Sequence, residues 1–180
     1  PPGYSLEWGG EYESSADAQA SLFKTMPMGY LFMFLITIFL FNNVKNAFIV
    51  WATVPLAIIG VTTGLLVLNT PFGFMALLGF LSLSGMLVKN GIVLLDQIEI
   101  EINSGKERYQ AVVDAAVSRV RPVCMAAITT VLGMIPLLPD VFFKPMAVTI
   151  MFGLGFATVL TLIVVPVLYR MFHRLQIIEK

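Results

Sequence analysis

Charge is scarce in this chain. Of its 180 residues 12% are charged and 58% hydrophobic, whereas a soluble domain, which must solvate a closed surface, carries about a quarter charged. The few charges are clustered: none lies between Lys24 and Lys45, and none between Lys45 and Lys89. Runs of that length are what lipid demands. Net charge is formally zero, so no nucleic acid or polyanionic partner is expected. The one cysteine, Cys124, cannot close an internal disulfide and has no companion ligands for a metal. The one histidine, His173, sits in a basic tail and is expected to be solvated or interfacial. No initiator Met and no basic segment precedes the first apolar run. The chain is therefore expected to lack a signal peptide of its own and to be a piece of a longer protein. It contains no catalytic triad, phosphate loop or metal-ligand spacing, which disfavours an enzyme.

What is abundant is apolar sequence, with a mean hydropathy of +0.88. A membrane-spanning helix needs about 20 apolar residues, and turn signals divide the chain into five such spans, at about 25–42, 47–68, 72–98, 122–139 and 145–169. Asn42 to Asn46 form the first turn, Asn69-Thr70-Pro71 the second, and Pro139-Asp140 the last, with Pro145 opening the fifth span. Between the third and fourth spans, residues Ala111, Val112, Ala115, Ala116 and Arg119 recur at helical spacing. They predict a short amphipathic interfacial helix over about 106–119. The expected fold is thus an all-α membrane protein. Residues 1–24 differ in kind. Tyr4, Leu6 and Trp8 alternate with polar residues as in a half-buried strand, and Ser14 to Asp17 read as a helix start leading toward the membrane. A lone strand cannot satisfy its own edges, so its partners are expected in other sequence.

The basic residues set an orientation. With five spans, Lys45, Lys106, Arg108, Arg119, Arg121, Arg170, Arg174 and Lys180 fall on one side, and only Lys24 and Lys144 on the other. The positive-inside rule makes the first side cytoplasmic, including a tail at 173–180.

Lys89 lies within the third span, where a charge costs about 2.5–3.5 kcal/mol on insertion scales. Ser82, Gly85, Lys89 and Asp96 fall near one helical face, with Asn90 beside them. Such a stripe marks a side packed on protein or lining a wet cavity. Lys89 is either a proton-relay cation whose partner carboxylates lie elsewhere, or a lysine snorkelling toward the interface with Asp96 as its screen. No acidic residue of these spans lies deep enough to pair with it. Thr129 and Thr130 in the fourth span read either as hydroxyls bonding their own backbone or as relay hydroxyls near Pro136. Gly60-xxx-Gly64 and Gly153-Leu154-Gly155 permit close helix approach.

Residues Gly79-Phe80-Leu81-Ser82-Leu83-Ser84-Gly85-Met86-Leu87-Val88-Lys89-Asn90-Gly91-Ile92 resemble the tenth membrane helix of resistance–nodulation–division (RND) efflux transporters, in particular the AcrB-like multidrug branch. Arg119-Val120-Arg121-Pro122, Thr129-Thr130 and Gly133-Met134-Ile135-Pro136-Leu137 resemble that family's eleventh helix. Val54-Pro55-Leu56 and Val165-Pro166-Val167 are similar too. The resemblance implies the last five of twelve helices, preceded over 1–24 by the end of a periplasmic porter domain. It implies a homotrimer in the bacterial inner membrane that exchanges protons for drugs, without a cofactor, alongside a periplasmic adaptor and an outer-membrane channel. Lys89 would be the relay lysine, alternating between two aspartates on a helix outside this chain, and Arg119 a functional arginine near the cytoplasmic mouth of the proton path. The family's relay threonine aligns on Ala126, with Thr129 and Thr130 as its substitutes. The family's metal branch carries acidic residues where Lys89-Asn90 stands. A structural or accessory membrane subunit, or a relative handling metals, lipids or exported protein, are the alternatives.

Overall fold

In the computed structural model residues 10–173 are described; the expected strand over Tyr4 to Trp8 and most of the C-terminal tail lie outside them. The described residues contain helices and no strand. They are α1 (Glu11–Phe41), α2 (Val44–Trp51), α3 (Thr53–Val67), α4 (Phe74–Asn103), α5 (Arg108–Met134) and α6 (Lys144–Phe172), with a 3-10 turn at Ile135–Leu137. Five stretches are long and apolar enough to cross a membrane: Glu13–Phe41, Val44–Val67, Phe74–Asn103, Arg108–Leu137 and Lys144–Phe172.

The boundaries differ from the sequence reading in three places, each for a local reason. First, the polar stretch before residue 25 continues the first span as one helix of 31 residues. That is about 46 Å at helical rise, longer than a hydrocarbon core of about 30 Å, so α1 projects beyond the bilayer. Second, the second span is two helices. Pro55 has no N–H to offer the Trp51 carbonyl one turn earlier, and the helix breaks at Ala52. There the Thr53 hydroxyl, buried in the bundle, donates to the Val50 carbonyl at 2.7 Å, as hydroxyls in apolar helices do. Third, the segment expected as a separate interfacial helix forms the opening turns of α5. That helix continues unbroken through Pro122, as membrane helices tolerate.

The centre of the bundle is α6, packed against α3, α4 and α5. Small residues allow this closeness. A Cβ on Gly60 of α3 would sit 2.6 Å from the Phe156 Cβ and 2.7 Å from the Phe152 carbonyl oxygen, while one on Gly153 would strike Leu83 and Val61. Gly155, by contrast, faces open space. Helix α1 lies outermost and is held near the α2–α3 break. Tyr30 and Phe34 both meet Trp51 edge-on with ring centroids 5.7 Å apart, and the Tyr30 hydroxyl pairs with the buried Ser84 hydroxyl at 3.0 Å. The α1–α2 turn, the α4–α5 loop and the end of α6 share one end of the bundle, tied by Asn46 donating to Glu99 at 2.9 Å and by Phe48 against Phe172. This end carries Lys45, Lys106, Arg108 and Arg170 and is called the basic end below.

Candidate functional site: the polar face of the fourth helix

One face of α4 is fully used. Leu83, Ser84, Leu87, Val88, Gly91, Leu94, Leu95 and Ile98 are buried in the bundle. The opposite face carries the residues singled out by sequence. Ser82, Gly85, Lys89 and Asp96 are exposed and Asn90 is half-buried. Ser82, Lys89 and Asp96 are spaced seven apart, a repeat that returns a helix to within about 20° of the same face. Lys89 is 15 residues from the first residue of α4 and 14 from its last (89 − 74 and 103 − 89), so it lies at mid-span. Among the described residues the ion pairs are those of Lys106 with Glu101 and Asp114; Lys89 has none. A Cβ on Gly85 would meet nothing within 4 Å. The stripe is therefore a polar, small-residue surface at bilayer depth that these five spans leave uncovered.

The two threonines take a different place. Thr129 is exposed and Thr130 half-buried. The Thr129 hydroxyl donates to the Met125 carbonyl at 2.6 Å, and that of Thr130 to the Ala126 carbonyl at 2.9 Å. Both thus take up their own helix's carbonyls, as hydroxyls in apolar helices do. Their depth is nonetheless relevant. Gln97 of α4 touches Arg119 of α5, and eight residues back along α4 from Gln97 is Lys89, while eight forward along α5 from Arg119 is Ala127. Equal rises of about 12 Å put Lys89 level with Ala127, within a turn of Ala126, Thr129 and Thr130.

Arg119 lies toward the basic end, half-buried, and its Nη2 donates to Gln97 Oε1 at 2.7 Å. Gln97 Nε2 donates to Glu101 Oε1 at 3.0 Å. From the α4–α5 loop, Lys106 reaches Glu101 at 2.8 Å and Asp114 at 2.7 Å. Its hydrogen bonds to Asp114, and then Glu101, hold the ammonium above the usual lysine range. Also at the basic end, Glu99, Ile102, Asn103, Arg108, Tyr169 and His173 line a cleft of about 230 Å³. His173 is half-buried there, stacked on Tyr169 with centroids 4.2 Å apart. Sequence reasoning did not single out Gln97 or the Asn46–Glu99 pair. The i, i+4 spacing of Gln97 and Glu101 was a visible signal; the partners across helices were not.

Residues 1–173 match the sequence profile of the AcrB/AcrD/AcrF family. The cobalt-zinc-cadmium resistance protein CzcA of Cupriavidus metallidurans is 34% identical over 179 residues, which is 97% of this chain and 17% of CzcA. The multidrug resistance protein MdtC of Salmonella paratyphi A is 31% identical over 144 residues, covering 77% of this chain and 14% of MdtC. The crystal structure of a heavy metal efflux pump superposes with a TM-score of 0.80 at 30% identity, over 97% of this chain and 18% of the pump. The chain thus spans about a sixth of the length of the relatives it matches. On profile, identity and superposition together, this five-span chain belongs to the AcrB/AcrD/AcrF family of RND efflux transporters.

Proposed function

We propose that this chain is the part of a proton-driven multidrug efflux pump that carries the cation of the proton relay. The supporting observation is Lys89: a mid-span lysine on an exposed stripe with Ser82, Gly85 and Asp96, without an ion pair among the described residues. A charge at that depth is tolerated when it faces protein or water and finds a partner. The partner here is a pair of aspartates on a helix of the remaining protein, laid along the Ser82–Asp96 stripe. As those carboxylates gain and lose protons, Lys89 changes pairing and the helices shift between two arrangements. That bistable element couples proton movement to the substrate-binding parts. Protons are the coupling ion, no cofactor is required, and the reaction is antiport rather than covalent chemistry. A hydroxyl of Thr129 or Thr130, level with Lys89, joins the relay in place of the family threonine. Arg119 stands at its cytoplasmic mouth.

The basic end faces the cytoplasm of a bacterial inner membrane, by the distribution of lysine and arginine. The protein assembles as a homotrimer and works with a periplasmic adaptor and an outer-membrane channel. Drugs rather than metal ions are the substrates on this reading, which rests on the resemblance of the stretch 79–92, Lys89-Asn90 included, to the multidrug branch. Metal export is the second reading, favoured by the names of CzcA and of the superposed pump. Both readings are tested in cells lacking other efflux, expressing the full-length protein or its Lys89→Met variant. Ethidium accumulation and tolerance to zinc and cobalt are measured. The first reading expects wild type alone to exclude ethidium, with metal tolerance unchanged. Metal tolerance without ethidium efflux favours the second. Normal ethidium efflux by Lys89→Met removes the relay assignment.

A further inference from the structure

The Arg119 guanidinium is held by a neutral group. Arginine cannot shed its proton, and among the described residues this one has no carboxylate partner. Its contact is the Gln97 side-chain oxygen at 2.7 Å. A carboxylate there would fix the guanidinium and also cancel its field; an amide fixes it and leaves the charge available. The amide is itself pinned at both ends. Its oxygen accepts from Arg119, and its nitrogen donates to Glu101 at 3.0 Å. Turned over, it would set donor against donor and acceptor against acceptor, so only one orientation satisfies both neighbours. Glu101 is held in turn by Lys106, whose other partner is Asp114 on α5. The chain of contacts thus runs from α5 to α4 and back through the connecting loop. Gln97 also sits eight residues, about 12 Å of helix, from Lys89 on the same element, and next to the exposed Asp96.

We propose that Gln97 is a positioning residue: it locks the Arg119 guanidinium to α4, uncompensated, so that displacement of the lysine-bearing helix moves this fixed positive charge at the basic end. Resting on the transport reading above, this adds that the α4–Arg119 linkage sets when a proton passes the cytoplasmic mouth. Substitution of Gln97 therefore acts on turnover and its pH dependence, and leaves substrate affinity unchanged.

The test uses the full-length pump in proteoliposomes, with ethidium or Zn²⁺ as the transported probe, whichever the wild type carries. Proton flux is followed by an internal pH dye and normalised to folded protein recovered by size exclusion. Gln97→Leu removes the acceptor, and loss of one hydrogen bond to a charged group lowers maximal flux by about tenfold with KM unchanged. Gln97→Glu keeps the shape and the acceptor but sets a second carboxylate against Glu101, with Arg119, Lys106, Asp114 and Asp96 as the neighbouring charges. At acid pH the two carboxylates share a proton and the donor to Glu101 is restored. Flux through this variant is therefore near normal at acid pH and falls as pH rises, giving a profile displaced to the acid side of wild type. Wild-type flux and profile in Gln97→Leu overturn the proposal. So does an equal, pH-independent loss in both variants, which marks Gln97 as merely structural. Should Gln97→Leu fail to fold, the isosteric Gln97→Glu profile decides alone. An inactive Arg119→Ala beside a normal Gln97→Leu refutes only the positioning role. Full coupled flux in Arg119→Ala refutes any role of Arg119 and the proposal with it, and absence of substrate-driven proton flux in the wild type removes the transport reading on which the proposal rests.

Discussion

Adding one methyl group at Gly60 should loosen the whole bundle. The new Cβ would lie 2.6 Å from the Phe156 Cβ, 2.7 Å from the Phe152 carbonyl oxygen and 3.2 Å from the Gly153 Cα. Carbon atoms pack at about 3.5–4.0 Å, so α3 and α6 must part by about 1 Å. Two of the three obstacles are backbone atoms, which no rotamer change can move aside. Because α6 also packs on α4 and α5, the displacement spreads to the central contacts of the bundle. Overpacking of this kind costs about 1–3 kcal/mol, and the better helix propensity of alanine returns about 1 kcal/mol at most. The expected net loss is about 0–2 kcal/mol, so Gly60→Ala melts below Gly155→Ala, where the same propensity is gained without a clash. The assay is thermal unfolding of the detergent-solubilised full-length protein, followed by size-exclusion fluorescence. Gly155→Ala is the control, since a Cβ there meets nothing within 4 Å. Equal melting of Gly60→Ala and Gly155→Ala would refute the packing argument.

Three further variants separate the roles assigned above. Gly85→Leu fills space that is empty beside Lys89; it is expected to abolish efflux by blocking the aspartate-bearing helix, and normal ethidium efflux would show that nothing packs there. Thr129→Val with Thr130→Val removes two hydroxyls that bond only their own backbone; proton-coupled flux is expected to fall several-fold with melting unchanged, and undiminished flux excludes both hydroxyls. Tyr30→Phe removes the pairing with Ser84 and should cost about 0.5–1.5 kcal/mol, read as a small fall in melting temperature with transport retained.

Much of this architecture is legible in the sequence because lipid leaves little choice. Uncharged runs that cross lipid have to be helical there, and Pro71, Pro145 and the asparagine turns mark where they stop. The helical face of Lys89 was legible too, since the seven-residue spacing of Ser82, Lys89 and Asp96 is a property of one helix. The break at Ala52 was not read, although Pro55 carried the signal, because proline inside a span often passes without a break, as Pro122 does. The helix start near Ser14 to Asp17 was legible, but with Pro27 near their junction nothing marked that helix and the first span as one element. What the sequence could not convey is which helices touch. The Arg119–Gln97 and Asn46–Glu99 contacts join residues 22 and 53 positions apart, across helices that meet only in the folded bundle. The same packing explains why Gly153 is essential to the close approach and Gly155, two residues on, is not.

The central claim is that Lys89 is the cation of a proton relay, and proton flux measures it most directly. The full-length protein and its Lys89→Met and Lys89→Arg variants would be reconstituted side by side, with oligomeric state checked for each. The account predicts normally assembled Lys89→Met protein with no substrate-driven proton flux. It predicts a strongly reduced flux in Lys89→Arg, whose planar guanidinium keeps the charge but changes the geometry. Wild-type flux in a correctly assembled Lys89→Met variant would contradict it.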